Sequence, residues 1–136
     1  MTKKIKVYLD MDGTIADLYG QENWLEMLIE EKDGAFINCE PLTTEKVLLG
    51  LFPIDKYNVK ILSMTPKNAS KEYCEKVIAE KNAWLDKYFP NITNRHYLPY
   101  GNNKNLKNSS KAILIDDNAT IRNNYKGLAL NPADLW

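Results

Sequence analysis

The stretch Ile-Lys-Val-Tyr-Leu-Asp-Met-Asp-Gly-Thr at residues 5–14 decides the fold. Its first half is rich in β-branched and aromatic side chains, which is typical of a buried strand. The strand pattern ends abruptly at Asp10, and the Asp-Met-Asp-Gly-Thr segment has the composition of a tight turn. We therefore predict a buried strand that delivers Asp10 and Asp12 to one end of a sheet.

Strand and helix patterns alternate along the rest of the chain. Further predicted strands lie at residues 58–63, 95–98, 112–116 and 127–130. Predicted helices begin near residues 22, 44, 70 and 119. The first, over residues 22–32, has an apolar stripe typical of an amphipathic helix, formed by Trp24, Leu25, Leu28 and Ile29. Such alternation indicates an α/β domain with a mainly parallel sheet of about five strands flanked by helices.

Composition limits the classes of function. The 136 residues fit one domain, and 18 basic residues balance 18 acidic ones, so nucleic acid is not an expected partner. Cys39 and Cys74 are too few for a disulfide framework and are interpreted as structural thiols. No apolar stretch approaches the ~20 residues that span a bilayer, and the N-terminus lacks a signal-peptide core. A cytoplasmic protein with no membrane partner is expected.

The carboxyl ends of the predicted strands carry polar side chains suited to chemistry. They are Asp10 and Asp12, Ser63 and Thr65, Lys104 in a polar segment, and Asp116 with Asp117. Ligands of open α/β sheets bind outside these ends, so we expect the side chains to share one site. Crowded carboxylates repel one another unless a cation holds them, and oxygen-only ligation favours Mg²⁺ over zinc.

A site that combines Mg²⁺, a lysine and a hydroxyl suits a phosphate group, because each of these groups neutralises or hydrogen-bonds phosphoryl oxygens. One carboxylate can attack phosphorus to form an aspartyl-phosphate. A second carboxylate two residues away can protonate the leaving oxygen and later activate water. The residues therefore indicate hydrolysis of a small-molecule phosphate ester.

Four motifs support a resemblance to a known superfamily. They are Asp-Met-Asp-Gly-Thr at residues 10–14, Ser63, Lys104, and the pair Asp116-Asp117. In this order and on these elements, the set resembles the haloacid dehalogenase superfamily of phosphohydrolases. The resemblance implies a three-layer Rossmann-like fold formed by a single domain over residues 1–136.

The resemblance also implies a role for each matching residue. Asp10 is the expected nucleophile and Asp12 the expected general acid/base. Asp10, Asp12 through its main-chain carbonyl, and Asp116 or Asp117 are expected to hold Mg²⁺. The phosphoryl group is expected to be bound by Ser63, Met64 and Lys104. Lys107 and Lys111 remain alternatives to Lys104.

A narrower resemblance connects residues 10–17, 61–66, 84–90 and 113–117 with the 5′(3′)-deoxyribonucleotidase group. It implies (deoxy)nucleoside monophosphates as substrates. Only about fifty residues separate Asp12 from Ser63, so we expect a reduced cap, with residues 18–52 forming a small insert and connecting helices. Leu18 stands where the group has an aromatic side chain, and Tyr19 is the next residue. These two are the expected substrate-pocket residues. Trp24 is interpreted as a core residue.

Other functions remain open. A phosphatase for another ester or for nucleic-acid 3′-phosphate ends would use the same residues, and so would a catalytically silent module that binds phosphate and Mg²⁺. A response-regulator receiver also gathers acids, a hydroxyl and a lysine around Mg²⁺. Its acidic pair follows the first strand, whereas Asp116-Asp117 follows the fourth strand here.

Overall fold

The computed structural model describes residues 3–106 and 109–136. Its sheet consists of β1 (Ile5–Leu9), β2 (Tyr57–Met64), β3 (Arg95–Leu98), β4 (Ile113–Ile115) and β5 (Leu128–Leu130). The strand order is β3-β2-β1-β4-β5, and every pairing between neighbouring strands is parallel. The predicted α/β class and the predicted number of strands are confirmed.

The strand order reverses at β1. From β1 the chain moves outward through β2 to β3, then returns to place β4 on the opposite side of β1. The residues that follow β1 and β4 therefore emerge side by side, where the Asp10 amide donates to the Ile115 carbonyl at 3.0 Å. Such a switch point is where open α/β sheets bind ligands.

The helices are α1 (Trp24–Ile29), α2 (Glu45–Leu51), α3 (Lys71–Tyr88) and α4 (Ala119–Asn124). The N-caps of the last three, Thr44, Ser70 and Asn118, each accept a hydrogen bond from an amide three residues later. A cap of this kind contributes about 1 kcal/mol. The predicted starts of these helices are confirmed. No helix of the described residues has the length and apolar character needed to cross a bilayer.

Alternation along the strands builds a core on each face of the sheet. Val7 and Leu9 point into the larger core, whereas Tyr8 points into the smaller one. The larger core also receives the buried side of α3, including Trp84, while α4 contributes Ile121 to the smaller core. The sheet is thus covered on both faces, which explains why its strands are predominantly apolar.

Residues 18–52 supply α1 and α2. Phe36, Leu48 and Phe52 of this segment are buried in the larger core, so much of the segment packs on the main body. Helix α1 is shorter than the predicted span of residues 22–32, and none of its residues is buried. The assignment of residues 18–52 as a cap remains a prediction.

Candidate active site

Three carboxylates meet at the switch point between β1 and β4. Oxygens of Asp10, Asp116 and Asp117 lie within 4.8 Å of one another. Asp10 is 8% exposed and Asp116 only 1%. The amide of Asn118 donates to Asp116 Oδ1 at 2.9 Å, which holds this carboxylate in place. The strand ends thus bring together three of the four acids that the sequence placed at one site.

Lys104 supplies a buried positive charge to this cluster. Its Nζ donates to Asp10 Oδ1 and to Asp116 Oδ2, both at 2.7 Å. Burial alone lowers the pKa of Lys104, but Asp10 and Asp116 outweigh this effect and raise the pKa, so the side chain stays charged. Lys111 lies exposed beside β4, and Lys107 lies outside the described residues. Of the predicted lysines that are described, Lys104 is the one that contacts the carboxylates.

Thr14 holds the turn after β1 against the end of β4. Its buried hydroxyl donates to Asp10 Oδ2 at 2.9 Å and accepts from the Asp117 amide at 3.1 Å. Gly13 adopts φ +80°, and a Cβ at this position would collide with the Asp117 carboxylate. The main-chain carbonyl of Thr14 accepts from the Trp136 indole at 3.0 Å. Gly13 and Thr14 are therefore required by close packing and hydrogen bonding at this turn.

The sequence analysis did not identify a second lysine of the site, Lys81. Its Nζ donates to Asp12 Oδ2 at 3.0 Å, to Ser63 Oγ at 2.8 Å and to the Met64 carbonyl at 2.8 Å. Lys81 is fully buried, and its Nζ lies 4.8 Å from the centre of the Phe36 ring. An ammonium group has three protons, and these three bonds use all of them.

A signal for Lys81 was present in the sequence. Tyr73 and Val77 lie eight and four residues before Lys81 on the buried side of α3, and Trp84 follows one turn later. A lysine inside such an apolar stripe must have a buried partner, because an unpaired buried charge is costly.

Among the described residues of the site, Asp12 carries the one buried side-chain oxygen that has no hydrogen-bond partner. The pKa of Asp12 is raised because the effect of burial is larger than the opposing effect of the adjacent Lys81. Oδ2 is bound to Lys81, whereas Oδ1 is buried and has no hydrogen-bond partner within the described chain. A buried polar atom left unpaired costs about 1–3 kcal/mol, so Oδ1 is available to a group that a ligand supplies.

The three carboxylates of Asp10, Asp116 and Asp117 form a donor set that fits a cation. The pKa of Asp117 is raised to about 7, mainly because the side chain is buried and next because of the charge of Asp10. A divalent cation bound among these acids removes the repulsion, and three carboxylates without histidine or cysteine form a donor set that suits Mg²⁺. The side chain of Asp12 faces Lys81 instead, so its expected contribution through the main-chain carbonyl remains a prediction.

Above the carboxylates opens a cleft of about 910 Å³. Its residues include the predicted Leu18, Tyr19, Met64 and Lys104, whereas Ser63 is fully buried beneath Lys81. The ring of Tyr19 packs edge-on against Trp24, with 4.9 Å between ring centres, and is half exposed. Burial, followed by the charges of Asp12 and Asp117, raises the pKa of Tyr19, so its hydroxyl stays protonated.

Helix α1 forms an apolar wall of this cleft. Trp24, Leu25, Leu28 and Ile29 all line it, and Leu25 and Ile29 are exposed. The stripe that predicted a core-facing helix therefore faces a cavity. Trp24, interpreted from the sequence as a core residue, is only half-buried. It packs against the larger core and also lines the cleft.

Comparison of the chain with models of known protein families gives no match. A comparison with curated proteins likewise gives no significant match. Function is therefore inferred from the side chains of the site.

Proposed function

We propose that this protein is a Mg²⁺-dependent phosphomonoester hydrolase that acts through an aspartyl-phosphate on Asp10. The observation that supports this most directly is the division of charge at the turn after β1. Lys104 binds Asp10, Lys81 binds Asp12, and Asp12 Oδ1 remains unpaired. Two neighbouring carboxylates in such different surroundings suit two different chemical roles.

In the first half of the reaction, an oxygen of Asp10 attacks phosphorus. The bond between phosphorus and the leaving oxygen breaks, and Asp12 gives this oxygen a proton. In the second half, Asp12 takes a proton from water, whose oxygen attacks phosphorus. The bond between phosphorus and Asp10 then breaks and releases inorganic phosphate.

Asp10, Asp116 and Asp117 are the residues that would hold Mg²⁺, together with the main-chain carbonyl of Asp12. Mg²⁺, when bound, neutralises charge on the phosphoryl oxygens. Lys104 and Thr14 each donate to one oxygen of Asp10, and together they fix the orientation of this carboxylate. Because its three protons are in use, Lys81 acts on a phosphoryl group through its charge and through its hold on Asp12 and Ser63.

The cleft supports (deoxy)nucleoside monophosphates as the substrate class. About 910 Å³ lies within the ~300–1,000 Å³ typical of small-molecule sites. Tyr19 and Trp24 offer aromatic surface to a planar leaving group near the carboxylates. Cys39 and Cys74 are both free thiols, which agrees with a reducing compartment such as the cytoplasm, where we propose that the enzyme works.

The test is phosphate release from a panel of esters with Mg²⁺, and again with excess EDTA. The panel contains deoxynucleotides, ribonucleotides, sugar phosphates and a 3′-phosphorylated oligonucleotide. We expect metal-dependent release that is highest with deoxynucleotides and absent in Asp10→Asn. Release from other esters alone would keep the mechanism and reject the substrate class. Mg²⁺ binding without any release would instead indicate a silent binding module.

A further inference from the structure

A second cavity of about 410 Å³ adjoins the cleft. Residues 65–68 and Tyr100 line both cavities, so the smaller one continues the larger. The loop of residues 65–68, which follows β2, is held in place because the Thr65 amide donates to the Leu98 carbonyl at 2.9 Å. Pro66 further restricts the backbone just before Lys67.

Lys67 and Tyr100 form the border between the two cavities. The Nζ of Lys67 lies 5.9 Å from the centre of the Tyr100 ring, within cation–π range. Tyr100 is 57% exposed, and Lys67 is also exposed. In the ranges 3–106 and 109–136, Lys67 makes no ion pair with a carboxylate. Charge and aromatic surface are therefore both available to a ligand here.

The charged side chains at the bottom of the cleft form its floor. A second anionic group of a ligand needs a separate basic side chain, because the charges of this floor do not attract it. The charges of Asp10, Asp12, Asp116 and Asp117 would be balanced there by Lys81, Lys104 and one bound divalent cation. This floor has no net positive charge to attract an anion beyond the phosphoryl group that reacts.

The rim of the cleft carries one charge of each sign among its described residues. Glu31 accepts hydrogen bonds from the amide and the hydroxyl of Ser70, at 2.8 and 2.6 Å. Lys67 is the basic residue of this rim, and it forms no ion pair with a carboxylate of the described residues.

We propose that Lys67 and Tyr100 form a second subsite that binds an anionic group on the leaving group of the substrate. The inference rests on the proposed function and extends the substrate class from nucleoside monophosphates to phosphomonoesters that carry a second phosphate on the leaving group. Such a ligand spans from the carboxylates to Lys67, with its second phosphate at the ammonium and its carbon skeleton against the Tyr100 ring.

The test compares the binding of a deoxynucleoside 5′-monophosphate and the matching 3′,5′-bisphosphate by calorimetry with Mg²⁺. Asp10→Asn is used so that neither compound is consumed. We expect the bisphosphate to bind about threefold to fivefold more tightly, as a partly exposed ion pair allows. Lys67→Met should reduce this ratio to near one, and Tyr100→Leu should reduce it in part. The ratio should also fall as salt rises from about 0.05 M to about 0.5 M, because the contact is electrostatic.

The matched control is Lys56→Met, which removes an exposed lysine that lines neither cavity and should leave the ratio unchanged. A ratio near one in the parent protein, or a ratio that Lys67→Met does not alter, overturns the subsite. If neither compound binds, both the subsite and the substrate class are overturned. Intact binding without turnover by the unsubstituted protein overturns the proposed reaction alone.

Discussion

Lys81 of α3 and Asp12 of the turn after β1 are 69 residues apart in sequence and form an ion pair of 3.0 Å between Nζ and Oδ2. The Lys81 side chain is 1% exposed and that of Asp12 is 19% exposed. The pair therefore ties the longest helix of the described fold to the turn that holds the proposed acid/base. Through Ser63 and Met64, the same ammonium also holds the end of β2.

Replacing Lys81 with methionine should cost both stability and activity. Loss of one partner of a buried ion pair leaves the other charge uncompensated, which costs about 3 kcal/mol. Misplacement of the proton donor should lower kcat about 10²-fold. Urea denaturation and phosphate release measure the two effects. Lys76→Met on the exposed side of α3 is the control and should change stability by less than about 0.5 kcal/mol. A Lys81→Met protein with full kcat would show that Asp12 does not depend on this pair.

Asp10→Asn should abolish turnover while the fold persists. The amide is nearly isosteric with the carboxylate, and its oxygen can still accept from Lys104 or Thr14, but it is a poor nucleophile. Phosphate release measures the loss, and circular dichroism with thermal melting checks the fold. Asp17→Asn is the control, because Asp17 accepts from the Gly20 amide in a nearby turn and should retain activity. Substantial turnover by Asp10→Asn would reject this residue as the nucleophile.

The polar ends of β1 and β4 could be predicted because each is a short apolar run that stops abruptly at an acid. Parallel pairing then brings such ends together, as it does for Asp10 and Asp116. Lys81 could not be placed in this way, since its partners belong to a different strand end and a helical pattern does not indicate what its stripe will meet.

Helix α1 shows a second limit of sequence patterns. Periodicity identified its apolar side, but a helix that lines a cleft and a helix that packs on a core have the same periodicity. The difference depends on the rest of the chain: Leu18 and Phe36 are buried in the larger core, whereas Trp24 and Leu28 of α1 are only partly buried against it and line the cleft.

Mg²⁺ should stabilise the protein by relieving repulsion among Asp10, Asp116 and Asp117. At a concentration about 100 times the dissociation constant, binding adds about 2.7 kcal/mol to the free energy of unfolding. Thermal melting with and without Mg²⁺ measures the shift. Asp117→Asn should remove most of it, whereas Asp55→Asn, at an exposed position far from β4 in sequence, should not. Equal shifts in both variants would place the cation elsewhere.

Trp136→Phe should impair the site indirectly. The phenyl ring keeps most of the packing but loses the indole proton that Trp136 donates to the Thr14 carbonyl. Because Thr14 also bonds Asp10 and Asp117, a looser turn should raise the Mg²⁺ concentration needed for half-maximal activity by several-fold. Titration of phosphate release with Mg²⁺ measures this change. Trp84→Phe is the contrasting variant: its indole donates to the Cys39 carbonyl, so it should lower stability without changing the metal requirement.

Stability should fall at alkaline pH, and Cys39 should account for the first part of the fall. Burial raises the pKa of the Cys39 thiol from 9.0 to about 12, and burial raises the pKa values of Tyr73 and Tyr97 from 10.0 to about 12. Between about pH 9 and pH 10 the unfolded chain loses the thiol proton while the folded chain keeps it. Folding then opposes ionisation, so the free energy of unfolding decreases by up to about 1.4 kcal/mol per pH unit.

Urea denaturation at pH 8, 9 and 10 tests this assignment, with all three pH values chosen around the ordinary thiol pKa of about 9. Cys39→Ala should reduce the slope between pH 9 and pH 10 and leave only the part of the slope that the buried tyrosines contribute. Cys74→Ala, which removes the other free thiol, should keep the slope of the unsubstituted protein. If the slope in Cys39→Ala matched that of Cys74→Ala, another group would have to titrate in this range, and the Cys39 thiol would not be held protonated by the fold.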